Sequence, residues 1–195
     1  MTYYDSANFP YILNNFLTDE ECDAIVAFTN DNIHLFDQHT GDHNFWSKRV
    51  IDYHLIPDEN LRNRMVFISG LVGKVVKSFT TNNKPAYPDT LQIVRWVNGY
   101  ELTPHADKEE PNGSPHPFPW RDFGTVIYLN DDFEGGEIYW PNKGIEWKPI
   151  KGSLAIFPGT VEFLHGVRNV PNGVRYTIPS FYTFDQTKAI APWRR

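Results

Sequence analysis

The chain has 195 residues, 41% of them hydrophobic and 15% aromatic, which is enough to bury a sizeable core and too apolar for a disordered chain. Its formal net charge is -6, from 18 basic and 24 acidic side chains, and its basic runs are no longer than the pairs Lys48-Arg49 and Arg194-Arg195, so neither nucleic acid nor an anionic membrane surface is expected as a partner. Cys22 is the sole cysteine, MTYYDSANFP lacks a signal-peptide pattern, and the apolar runs are too short to span a bilayer, so a soluble cytoplasmic protein without an intramolecular disulfide is expected.

Thr18-Asp19-Glu20-Glu21 reads as a capping box. Cys22, Ile25, Val26 and Phe28 follow at near-helical spacing, which predicts a first helix to about Asn30. Residues 32–44 read as a polar loop. Val50 to Ile56 alternates like an edge strand. Pro57-Asp58-Glu59 opens a second helix, with Leu61, Met65, Ile68, Val72, Val76 and Phe79 along its apolar stripe. Asn82 to Pro88 is a loop rich in helix breakers.

From Thr90 the pattern becomes strand-like. Strands are predicted over Leu91–Val97, Gly124–Asn130, Glu137–Trp140, Ser153–Phe157, Phe163–Val167 and Arg175–Thr183. Gly and Pro clusters such as Gly135-Gly136 and Pro171-Asn172-Gly173 separate them. Two helices followed by many short strands predict a mainly β fold with flanking α, a jelly-roll barrel supported by N-terminal helices. No boundary divides the chain. It reads as one domain over 1–195, with helical support roughly over 1–89 and the β core roughly over 90–185.

Lys108 to Phe123 (KEEPNGSPHPFPWRDF) holds four prolines and a glycine and cannot be a regular central strand. A long loop beside a candidate site is commonly a lid or clamp. Phe118 and Trp120 make it a candidate substrate lid.

His105 and Asp107 form a His-x-Asp pair. Alternate residues of one extended segment share a face, so both side chains can address one ion. His165 falls in an apolar strand, where its ring needs a partner: a metal, or a backbone carbonyl. Arg175, ten residues on, either points outward into solvent or is buried and neutralised by a ligand carboxylate. Two imidazoles and one carboxylate are the donor set of a non-haem Fe(II) oxygenase. The cation downstream would then hold the far carboxylate of an organic-acid co-substrate. His34, His39, His43, His54 and His116 read as surface or loop residues.

Several segments are similar to one known family. LQIVRWVNGYELTPHAD, TVIYLNDDFEGGEIYWP, KGSLAIFPG, FLHGVRNVPNGVRYTIPSFY and the N-terminal YILNNFLTDEEC together resemble the prolyl 4-hydroxylase-like 2-oxoglutarate/Fe(II)-dependent dioxygenases. That resemblance implies a double-stranded β-helix fold. It also implies His105, Asp107 and His165 as iron ligands and as the catalytic residues. Arg175 would pair with the distal carboxylate of 2-oxoglutarate, and Tyr128 would donate a hydroxyl to it. Trp96 stands where the family usually has Tyr, and an indole can donate a hydrogen bond but not accept one. Thr177 shares the face of Arg175 and is a candidate pocket residue.

The implied cofactors are Fe(II), with 2-oxoglutarate and O2 as co-substrates and room for ascorbate as an auxiliary. The implied reaction hydroxylates an unactivated C–H bond, foremost in a peptidyl proline, with release of succinate and CO2. The carboxylate at Asp107 favours hydroxylation over halogenation. Hydroxylation of another side chain or a small metabolite, and a non-catalytic jelly-roll binding module, are the rival expectations. Trp46, Trp120, Trp140 and Trp147 could stack on a pyrrolidine ring or serve packing.

Overall fold

The structure is a computed structural model; it describes residues 3–38, 46–97, 99–112, 114 and 116–194. Helix α1 spans Asp19–Asp31 and α2 spans Glu59–Ser78. The box at the start of α1 is formed. Thr18 accepts from the Glu21 amide at 3.2 Å, and the Glu21 carboxylate accepts from the Thr18 amide at 3.0 Å. Asp58 caps α2 by accepting from the Leu61 amide at 3.1 Å, so Pro57 lies just outside the helix. Of the apolar stripe, Met65, Ile68, Val72 and Val76 are buried. Among the described residues no helix is long and apolar enough to cross a membrane.

The strands are β1 (Tyr11–Leu13), β2 (Val50–Asp52), β3 (Tyr87–Pro88), β4 (Gln92–Trp96), β5 (Leu102–His105), β6 (Phe123–Tyr128), β7 (Ile138–Trp140), β8 (Ile145–Trp147), β9 (Leu154–Pro158), β10 (His165–Val167) and β11 (Arg175–Thr183). They form two antiparallel sheets. One runs β1-β9-β6-β11-β4-β2, with β3 also on β11; the other runs β5-β10-β7-β8. The architecture is mainly β with two α-helices among the described residues, as the sequence predicts.

Several expectations need correction. Val50–Ile56 is a strand only to Asp52, after which Tyr53–Leu55 makes a 3-10 turn. The strand expected over Phe163–Val167 begins at His165, because Val161–Phe163 is another such turn. Residues 33–38 of the expected loop are a 3-10 helix, and Tyr87-Pro88 of another is a short strand. His39 and His43 lie outside the described residues.

The two faces of β11 explain how the sheet serves both core and site. Tyr176, Ile178 and Tyr182 face the main core, which they share with Cys22 and Ile25 of α1 and with Met65, Ile68 and Val72 of α2. Arg175, Thr177, Pro179 and Phe181 face the other way, into a recess. This is the two-residue period of a strand. The Tyr182 hydroxyl, buried on the helix side, donates to the Ser69 carbonyl of α2 at 2.7 Å, which satisfies the one polar atom that its ring brings into the core.

Candidate metal centre

The recess lies between the two sheets. Its wall includes Val94 and Trp96 of β4, His105 of β5, Gly124 and Val126 of β6, Phe157 of β9, His165 of β10, the four alternate residues of β11, and Asp107. The recess is partly open to solvent at its mouth.

His105 ends β5 and His165 begins β10, and the two are direct partners in the antiparallel ladder. Their rings lie 4.4 Å apart between centroids. Asp107 is not on the strand, contrary to the alternation argument. It sits in a bend two residues past His105. There the amides of Asp107 and Lys108 both donate to the Gly159 carbonyl at 3.0 Å, which turns the chain so that the carboxylate faces the rings. Asp107 Oδ1 lies 3.7 Å from His105 Nε2 and 3.8 Å from His165 Nε2. One donor atom from each residue lies within 4.8 Å of the others.

The ring nitrogens are committed in a way that suits a metal. His105 Nδ1 is 3.1 Å from the Thr103 carbonyl, and His165 Nδ1 is 3.2 Å from the Phe163 carbonyl. A carbonyl only accepts, so each Nδ1 carries the proton and each Nε2 lone pair points towards Asp107. Burial pushes His165 down to about 4. Burial, and then the neighbouring His165, also lower His105. Both rings are therefore neutral donors near pH 7. Burial pushes the Asp107 carboxyl up to about 6, and its Oδ2 is buried without a hydrogen-bond partner. A buried carboxylate with one oxygen, Oδ2, unpartnered and the other, Oδ1, facing two lone pairs is costly by itself and is resolved by a cation. Donor atoms about 2 Å from a shared ion lie up to about 4 Å apart, so the two measured separations fit. Two imidazoles and a carboxylate suit non-haem iron.

Arg175 is 2% exposed. Its guanidinium lies 5.0 Å from the Tyr128 ring centre and 5.5 Å from that of Trp96, its register partner on β4. No carboxylate among the described residues pairs with it, and its Nε has no hydrogen-bond partner. The outward-facing alternative for Arg175 is thereby excluded. The Tyr128 hydroxyl is likewise buried without a hydrogen-bond partner. Burial raises its pKa, and the nearby Arg175 opposes that rise. Thr177, the register partner of both Tyr128 and Val94, lines the recess, as does Trp96, whereas Tyr128 is not among the wall residues.

Phe118 and Trp120 do not enter the recess wall. Trp120 Nε1 donates to Asp89 Oδ2 at 2.9 Å, and Arg121 Nε donates to the same oxygen at 2.9 Å. Phe118 stacks on the Arg121 guanidinium at 3.9 Å. Polar anchors at Asp89 hold this part of the loop to one side. Of the tryptophans considered for stacking, Trp46 lines the recess, whereas Trp140 packs on Phe157 and Trp147 on Tyr128. His34 and His54 are exposed, as expected. His116 has partners that the sequence does not reveal: it accepts from the Phe118 amide at 3.1 Å and lies 3.8 Å from Glu110.

Sequence reasoning missed Gly124. A Cβ there would lie 2.4 Å from Asp107 Oδ2 and 2.5 Å from the Phe157 ring, so the missing side chain makes room for the carboxylate. A glycine inside an apolar strand is the available signal, since it often marks a close approach.

Comparison with known proteins agrees with this geometry. Residues 91–183, which contain all four of His105, Asp107, His165 and Arg175, match the model of the 2OG-Fe(II) oxygenase superfamily. Over those 93 of its 195 residues the chain is similar to the 2OG-Fe(II) oxygenases. Its relatives include prolyl hydroxylases. It is 26% identical over 164 residues to a putative prolyl 4-hydroxylase of Acanthamoeba polyphaga mimivirus, covering 78% of this chain and 62% of that one. It is 33% identical over 76 residues to prolyl 3-hydroxylase 2 of Rattus norvegicus, covering 36% of this chain and only 11% of that protein. A solved Trichoplax adhaerens prolyl hydroxylase, in complex with a hypoxia inducible factor oxygen degradation domain peptide fragment, shares the fold. Its TM-score is 0.68 at 17% identity, over 95% of this chain and 89% of that one.

Proposed function

We propose that this chain is a 2-oxoglutarate- and Fe(II)-dependent hydroxylase of an unactivated C–H bond, with a prolyl residue of a peptide or protein as its substrate. Succinate and CO2 would be released. One observation carries the reading: two imidazole nitrogens and a buried carboxylate converge in a recess that also holds a buried guanidinium with no carboxylate partner among the described residues.

His105 and His165 would hold Fe(II) through Nε2, and Asp107 through its carboxylate. When bound, the iron supplies dioxygen activation coupled to decarboxylation of the 2-oxo acid. The protein's own part is binding and exclusion. Arg175, buried without a carboxylate partner among the described residues, would take the distal acid of 2-oxoglutarate as a forked ion pair. Tyr128 would donate its hydroxyl to the same acid, while Trp96 and Thr177 would close the pocket around it. The backbone carbonyls at Thr103 and Phe163 keep a proton on each Nδ1, so neither ring can flip its donor nitrogen away from the ion. Elsewhere the wall is apolar, with Val126, Phe157, Pro179 and Phe181. Such a lining suits a neutral ring such as pyrrolidine and disfavours a charged side chain.

The test is an anaerobic titration with Fe(II) and 2-oxoglutarate that follows the metal-to-ligand charge-transfer absorption of the chelate. Succinate release and a one-oxygen mass gain in proline-containing peptides are then measured in air. Iron-loaded protein that takes up no 2-oxoglutarate would sink the reading. Arg175→Ala should weaken 2-oxoglutarate binding by about 2–5 kcal/mol, the cost of removing one partner of a buried charge pair. The same titration measures that loss.

A further inference from the structure

Arg175 opens β11 at the point where β6 has already ended. The β6–β11 ladder starts at Thr177 and Tyr128. Beyond it, the side chain of Asn130 takes over the pairing. Asn130 Nδ2 donates to the Val174 carbonyl at 2.6 Å, and Asn130 Oδ1 accepts from the Tyr176 amide at 2.8 Å. One carboxamide thus grips the backbone on both sides of Arg175. Its Nδ2 also donates to Asp132 Oδ1 at 2.6 Å, which orients the amide plane.

A second contact bears on the side chain itself. Gly136 has φ +67°, and a Cβ there would lie 3.0 Å from Arg175 Cδ and 2.7 Å from the Phe133 ring. The Gly136 amide donates to the Asn169 carbonyl at 3.1 Å, so this backbone cannot readily retreat. The stem of Arg175 runs through a slot whose wall is bare backbone.

We infer that Asn130 and Gly136 are positioning residues for Arg175, setting how far its guanidinium reaches into the recess and hence selecting 2-oxo diacids over 2-oxo monoacids. The inference rests on the proposed role of Arg175. Neither residue touches the co-substrate; each acts through the arginine. A site group held by neighbours of this kind typically loses roughly ten- to a hundredfold in affinity when a neighbour is removed.

The test compares two ligands of the iron-loaded protein under anaerobic conditions. One is 2-oxoglutarate. The other is 2-oxobutyrate, which has the same chelating end and no distal acid. For Asn130→Ala and, independently, Gly136→Ala, 2-oxoglutarate binding should weaken roughly tenfold or more while 2-oxobutyrate binding stays nearly constant. Two folded variants with undiminished 2-oxoglutarate affinity would overturn the inference. So would equal losses for both ligands, which mark a general structural role. Arg175→Ala separates the underlying reading: if wild type shows no preference for the diacid, or Arg175→Ala keeps that preference, the assignment of Arg175 fails and the inference falls with it.

Discussion

Asp107 shows how much of a site can depend on a residue that contributes no atoms to it. Its carboxylate occupies the volume that a side chain at Gly124 would fill. Gly124→Ala should push the carboxylate or the Phe157 ring aside and lower Fe(II) affinity by roughly ten- to a hundredfold. Fe(II) titration of the folded variant, with secondary structure checked by circular dichroism, measures this. The four site residues were legible in the sequence because few residue types bind iron or an acid, and because they occur in the expected order. Gly124 and Asn130 were not. Their roles lie in contacts 17 and 44–46 positions away along the chain, which no local pattern records. Phe118 and Trp120 stand outside the recess wall, because Asp89 holds Trp120 and the Arg121 guanidinium stacks on Phe118, and no local pattern shows those contacts.

Among the elements, legibility follows burial. Both helices announced themselves through caps and stripes, and β11, central in its sheet, matched its predicted bounds. Of the strands that the sequence missed or overran, β5 and β8 lie at the two ends of the four-stranded sheet and β2 at one end of the larger, whereas β10, inside its sheet, was overrun because a 3-10 turn occupies Val161–Phe163. An edge strand needs burial on fewer sides, and β5 even contains Pro104, which is tolerated at an edge. The cap of α1 offers a direct check. Thr18→Ala removes the acceptor for the Glu21 amide and should cost about 1 kcal/mol of stability. Urea unfolding of the two proteins would show it as a lower midpoint at equal slope.

For the molecule as a whole, the metal-free site should leave an imprint on stability against pH. Asp107 is raised by burial to about 6 from 3.8. Its contribution is therefore fully present below about 4 and lost as pH rises through about 6. His165 is lowered by burial to about 4 from 6.5, so its contribution is present above about 6.5 and lost as pH falls through about 4. The two slopes oppose each other across the same window. Removing one should expose the other: metal-free Asp107→Asn should gain stability between pH 4 and 6.5 by about 3 kcal/mol, while the parent changes much less. Urea unfolding at several pH values in the presence of a chelator measures both.

The division of labour between the sheets has a mechanical consequence. The candidate iron ligands belong to one layer, at β5, β10 and the bend after β5, while Arg175 begins β11 in the other. A diacid gripped at both ends would then act as a crossbar, and the layers could not be prised apart until one end let go. If the proposed reaction holds, release of the spent acid, shorter by one carbon, would loosen that tie and relax the scaffold along with it.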